Sequence, residues 1–200
     1  QVADKQVFLP EAYIIPQEWT EVLYRMKLHG IETCSLAKES KINVNTYKFA
    51  NPRWNTSPYE GRQVLEHFDI TEVEEERLFR AGSVIVKMDQ PTAKVIAYLL
   101  EPQAQGSLIY WGFFNSIFEQ KEYAESYVME KLAREMLESD ANLKAEFEEK
   151  LKNEAEFKHN WWLLLNWFYS KTPYWDSRIN SYPVGRIMLK TEMEELEFTY

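Results

Sequence analysis

The chain has 200 residues, of which 45% are hydrophobic and 15% aromatic, and its formal net charge is −9. A surface of that sign repels phosphate backbones and no Lys/Arg cluster overrides it, which argues against nucleic acid and anionic membranes as partners. The single cysteine, Cys34, excludes an internal disulfide and a thiolate metal cage. Apolar runs such as Val95–Leu100 are far too short to span a bilayer.

In chain order, residues 1–15 mix apolar and polar positions and end in AYIIP. Pro16 opens a predicted helix, QEWTEVLYRMKLH, with Trp19, Val22, Leu23 and Met26 on one face and Gly30 as its stop. KINVNTYKF and RQVLEHFDIT then alternate as strands, with Val64, Phe68 and Ile70 on one side of the second, and SVIVKM is compact enough for a central strand. The acidic run Glu72–Glu76 reads as a solvated strand or turn face. Pro91 begins a helix, PTAKVIAYLL, that closes before Glu101-Pro102, and QAQGS is a loop.

From there the period is helical. In YWGFFNSIFEQKEY, Tyr110, Phe114 and Phe118 are four apart, the spacing of a buried helix stripe. EYAESYVMEKLAREML repeats Tyr123, Tyr127, Leu132 and Met136, and Asp140 caps a helix carrying Leu143, Phe147 and Leu151. EFKHNWWLLLNWFY predicts one further helix ending at Thr172-Pro173. YPVGRIML and MEELEFTY return to extended character, with Leu196, Phe198 and Tyr200 alternating. The plan is α+β: a mostly antiparallel sheet from residues 1–90 and 180–200, and a helical insertion at about 107–172 within a single domain spanning 1–200.

No stretch spells out a reaction. His29-Gly30-Ile31-Glu32, taken with His159, imitates a two-imidazole, one-carboxylate zinc set and would make the chain a small zinc hydrolase. Its context argues otherwise: His29 sits in the last helical turn before a glycine stop, where an imidazole opposes the helix dipole, and His159 lies in a charged run at a helix start. G-x-S-x-G and phosphate-loop motifs are absent. Cys34 reads as a small buried residue.

The aromatics carry more. Seven Trp, twelve Tyr and eleven Phe exceed what a core of this size needs, so some serve an interface or groove. Trp111 falls off the stripe described above. Trp161 and Trp162 are adjacent and cannot share a helix face. Tyr174-Trp175-Asp176-x-Arg178 follows a proline and packs aromatic, acidic and cationic groups into one loop, a composition that fits a contact with another domain, and also a peptide or sugar contact.

PEAYIIPQEWTEVLYRMKLHGIE, YKFANPRWNTSPYEGR, LEPQAQGSLIYWGFFNSIFEQKEYAESYVMEKLAREML and FYSKTPYWDSRINSYPVGRI together resemble the C-terminal region of bacterial zinc carboxypeptidase-like proteins of the carboxypeptidase A clan. The resemblance covers nearly the whole chain. It implies that zinc, its ligands and the catalytic glutamate belong to an upstream peptidase domain, so no catalytic role and no cofactor falls to this segment. It also implies a periplasmic or extracellular address. A start at Gln1 without a signal segment fits an excised C-terminal module.

The expected function is therefore a non-catalytic module that packs on, or completes the substrate cleft of, a peptidase domain or another protein surface. Its candidate contacts are Trp111, Trp161, Trp162, Tyr174, Trp175 and Arg178. The alternative is an independent peptide- or glycan-binding module using Trp111, Tyr174, Trp175 and Arg178.

Overall fold

The computed structural model describes residues 6–199 and is α+β, as expected from the sequence. Seven strands form one sheet: β1 (Ala12–Ile15), β2 (Cys34–Leu36), β3 (Ser40–Trp54), β4 (Leu65–Phe79), β5 (Val84–Lys87), β6 (Gly185–Ile187) and β7 (Phe198–Thr199). Their order is β4-β3-β6-β1-β5-β2-β7, and every neighbouring pair is antiparallel. Two compact units divide the chain. One runs to Glu119 and resumes at Asn180, and the other is Gln120–Ile179.

All the strands belong to the first unit, and the middle strands of its sheet are buried on both faces. Tyr13, Ile15, Tyr47, Phe49 and Val86 face a core completed by α1 (Thr20–Leu28), α2 (Ala93–Leu100) and residues 108–118. Ala12, Ile14, Ile42, Val44, Phe79 and Ile85 face the opposite core, flanked by Met193, Leu196 and Phe198. This two-sided burial explains why AYII and VIVK are runs rather than alternations. Burying each large side chain contributes about 1.5–3 kcal/mol. In α1, Val22 and Met26 are buried, while Trp19 and Leu23 pack at the core margin. The helix stops where Gly30 adopts φ 68°.

The hairpin β3–β4 is longer than the sequence pattern suggests because its buried face changes sides. Toward Ser40, the residues Ile42, Val44 and Thr46 are buried; beyond them Tyr47 and Phe49, on the other face, take over. A single period cannot describe that. The acidic run lies inside β4, held to β3 by Lys41–Glu76 (2.9 Å), Asn43–Glu74 (3.3 Å) and Asn45–Glu72 (2.7 Å) hydrogen bonds.

Residues 110–118 form turns and a short 3-10 segment, Asn115–Phe118, rather than the predicted helix. Gly112 breaks the stripe: its φ is 73°, and a Cβ there would stand 2.5 Å from the Gln63 carbonyl oxygen. The rings still reach the core. Phe114 packs on Trp19 and Tyr182, with ring centroids 4.8 and 5.1 Å apart, and Phe118 packs edge-on against Phe49 and Trp54. Near the C-terminus, the helix-forming Lys190–Glu194 makes α7, so the expected strand narrows to Phe198–Thr199, and Tyr200 lies outside the described residues.

The second unit is helical: α3 (Ser126–Ser139), α4 (Ala141–Asn153), α5 (Ala155–His159) and α6 (Trp161–Ser170). Met129, Ala133, Leu165, Phe168 and Tyr169 are its core. Asp140 caps α4 as expected, accepting from the Asn142 and Leu143 amides at 2.9 and 3.0 Å. Two expectations fail. Tyr123, ahead of α3, and Tyr127 are exposed: the buried residues of α3 are Met129 and Ala133, with Met136 half-buried beside them, and Tyr127 lies two residues, about 200° of rotation, from Met129. The predicted third helix is two helices, because Asn160 leaves helical dihedrals and its side chain caps the Trp162 and Leu163 amides at 3.1 and 3.2 Å. Among the described residues no helix is long and apolar enough to cross a membrane.

Candidate functional site

The most conspicuous polar cluster lies inside the first unit. Glu101, at the end of α2, accepts hydrogen bonds from Tyr13 Oη (2.6 Å) and Tyr47 Oη (2.9 Å) on its two carboxylate oxygens. Arg186, 1% exposed, places Nε 3.3 Å from Glu101 Oε1, near enough for an ion pair though not aligned for a hydrogen bond. Its Nη1 donates to Glu72 at 3.0 Å and Nη2 donates to the Phe8 carbonyl. Tyr182 Oη donates to the Leu100 carbonyl at 2.7 Å. Burial, reinforced by the Glu101 carboxylate, raises the Tyr13, Tyr47 and Tyr182 phenols well above their ordinary pKa. Paired charges and satisfied phenols in the interior tie β1, β3, β6 and α2 together.

The helical unit holds a different kind of feature. Trp161 and Trp162 open α6 at 53% and 52% exposure. Both line a cleft of about 50 Å³ with Tyr123, Ser126, Met129 and Asn166. Tyr123 leans on Trp162 with ring centroids 6.4 Å apart. At the same cleft, Asn166 and Gln120 exchange reciprocal amide hydrogen bonds of 2.9 and 2.6 Å. The wall is rigid because the next turns of α6 plant Leu165, Phe168 and Tyr169 in the core. A volume near 50 Å³ accepts one short side chain and falls well below the 300 Å³ or more of typical small-molecule sites.

The loop after α6 holds the other candidates of this unit. Trp175 packs edge-on against Tyr169 at 5.6 Å, and Tyr169 Oη donates to the Tyr174 carbonyl at 3.2 Å, leaving the Tyr174 ring 70% exposed. Arg178 donates through its amide and Nε to Asp176 Oδ1, each at 3.0 Å. These bonds, against a smaller opposing effect of burial, hold the Asp176 carboxyl below its ordinary value. Trp111 stands apart from this set: it belongs to the first unit and stacks on Tyr59 at 6.1 Å and 24°.

His29 and Glu32 are exposed at the end of α1 and just beyond it, and His159 is exposed at the end of α5, not at a helix start. Among the described residues no three His, Cys, Asp or Glu side chains are gathered as a metal would need, so the zinc-hydrolase alternative has no ligand set here. Cys34 is buried, as expected. Sequence reasoning missed Tyr123 as a surface ring, and with it the cleft. The available signal was Asn160, a capping residue directly before an apolar run, which places both tryptophans in a first helical turn.

Comparison with protein-family models, with curated proteins and with solved structures finds no match to this chain.

Half-exposed rings add little to folding. Trp161→Ala and Trp162→Ala should each shift stability by less than about 1 kcal/mol. Phe168→Ala, at a site 1% exposed, should lower it by about 3–5 kcal/mol. Urea unfolding followed by circular dichroism reads both.

Proposed function

We propose that this chain is a binding module rather than a catalyst, and that it docks through the ring surface of its helical unit onto another protein. Following the resemblance read from the sequence motifs, the proposed protein surface is an upstream peptidase domain outside the inner membrane, whose substrate cleft the module would brace or complete. One observation carries the reading: two adjacent tryptophans, both half exposed, flank a cleft sized for a single side chain on a helix whose next turns bury Leu165, Phe168 and Tyr169 in the core. Rigid aromatic anchors beside a small pocket are what protein–protein hot spots are made of.

The reading frame encoding residues upstream of Gln1 tests the identity of the partner. The proposal expects a peptidase domain there, with an H-x-x-E motif and a distant histidine; a frame without one removes the peptidase domain as partner.

A second reading rests on the exposed Tyr174 ring, in the loop that also carries Arg178, which suits peptide or sugar stacking as well. Titration with cell-wall peptides and oligosaccharides should then shift tryptophan fluorescence through Trp175, and a flat response to all of them abandons it.

A further inference from the structure

The sheet ends on one side in β7, two residues long, and on the other in β4, fifteen residues long and paired, among the described residues, with β3 alone. Shortness protects the β7 edge. β4 contains no Pro, Gly or Lys, and its register is unbroken from Ser40↔Phe79 to Ala50↔Asp69, shifting only beyond Ala50; what guards this edge is its negative charge, which deters like-charged strands and not cationic ones.

The main-chain direction of this edge follows from β3. Phe49 N–H donates to the Asn180 carbonyl, and the Tyr47 carbonyl accepts from Tyr182 N–H, so both groups point away from β4. Their partners in the register, Ile70 and Glu72, are therefore members of non-hydrogen-bonded pairs. By the period of two, the N–H and C=O groups of Ile70, Glu72, Glu74, Glu76 and Leu78 point to the open edge. Three of these five are glutamates on one face, all exposed. Each uses Oε1 to accept from β3 or Arg186.

We infer that the β4 edge is a docking site for an extended, cationic segment of a partner protein, which adds as an eighth strand and sets Lys or Arg at every second position against Glu72, Glu74 and Glu76. The main-chain groups and the charges coincide on the same residues, so the strand that fills the hydrogen bonds also meets the carboxylates. A second copy of this chain is disfavoured. Antiparallel pairing about Glu74 would place Glu74 opposite Glu74 and Glu72 opposite Glu76, like charge on like. This surface is independent of the aromatic one, and the test below leaves that reading untouched.

The test uses the whole chain and a short synthetic peptide with lysine at every second position and threonine or valine between. Its control is the isomer with the same lysines contiguous. Calorimetry should show the alternating peptide binding about tenfold tighter, the scale three cross-strand charge pairs allow. Amide exchange should slow at Ile70, Glu72, Glu74, Glu76 and Leu78. Glu74→Pro removes an outward N–H together with the Glu74 carboxylate and should abolish binding. If that variant fails to fold, the Glu72→Gln, Glu74→Gln, Glu76→Gln triple variant, which keeps the Oε1 acceptors, should bring the two peptides to equal weak affinity. Equal affinity of the two peptides for the parent chain, absence of binding, or protection elsewhere than the five amides would overturn the inference.

Discussion

Arg186→Met should destabilise the protein by about 3–5 kcal/mol, the scale of removing one member of a buried ion pair. The arginine is 1% exposed, and its loss leaves Glu101 charged in the interior with two phenol donors and no cation. It also frees the Phe8 carbonyl and the outer contact to Glu72. The midpoint of urea unfolding reads the loss. The double variant Glu101→Leu, Arg186→Met should cost less than the sum of the two single changes, because neither buried charge is then orphaned. A loss below about 1 kcal/mol for the single variant would mean that the cluster is not what joins β6 to the rest of the sheet.

The same cluster makes the fold alkali-sensitive. Burial first, then the neighbouring Glu101, raises the Tyr13 and Tyr47 phenols above the ordinary 10.0, and Tyr182 shifts the same way for the same reasons. Above that pH the unfolded chain releases these three protons while the folded chain keeps them. The unfolded state therefore binds fewer protons, and stability falls as pH rises. Each proton contributes about 1.4 kcal/mol per pH unit, so three give about 4 kcal/mol per unit above pH 10. Below that value all three are protonated in both states and contribute no slope. Unfolding midpoints taken at about pH 9 and about pH 11 should differ accordingly, and Tyr47→Phe should flatten the slope by about one third. A flat profile across this window would show the phenols to be free to ionise in the folded state.

The α+β plan, α1, α2, the central strand β5 and the Asp140 cap were legible because each is a local signal: a period, a proline or glycine boundary, a capping side chain. What was illegible is non-local. The stripe Tyr110, Phe114, Phe118 has perfect helical spacing, yet the chain turns at Gly112 because the Gln63 carbonyl passes where a side chain would stand. The length of β3 and β4 was hidden because the two halves of one hairpin bury opposite faces. Tyr127 looked like core because its spacing from Tyr123 is right, but α3 begins only at Ser126, and the face that packs is set by Met129 and Ala133. The buried Glu101–Arg186 pair joins residues 85 positions apart, and neither residue is marked locally as interior. Of the surface candidates, the suspicion about Trp161 and Trp162 was geometric: adjacent residues on a helix cannot both point inward. Both lie half exposed on one cleft. Trp111 offered no such constraint and stacks on a tyrosine of its own unit.

The central proposal is that the ring surface of the helical unit is covered by an upstream peptidase domain of the same gene product. Hydroxyl-radical footprinting of the complete gene product, compared with residues 1–200 alone, addresses it residue by residue. The account predicts strong protection of Trp161, Trp162 and Tyr123 in the complete product, with Tyr59, in the other unit, labelled equally in both. Equal labelling of the two tryptophans in both samples would contradict it.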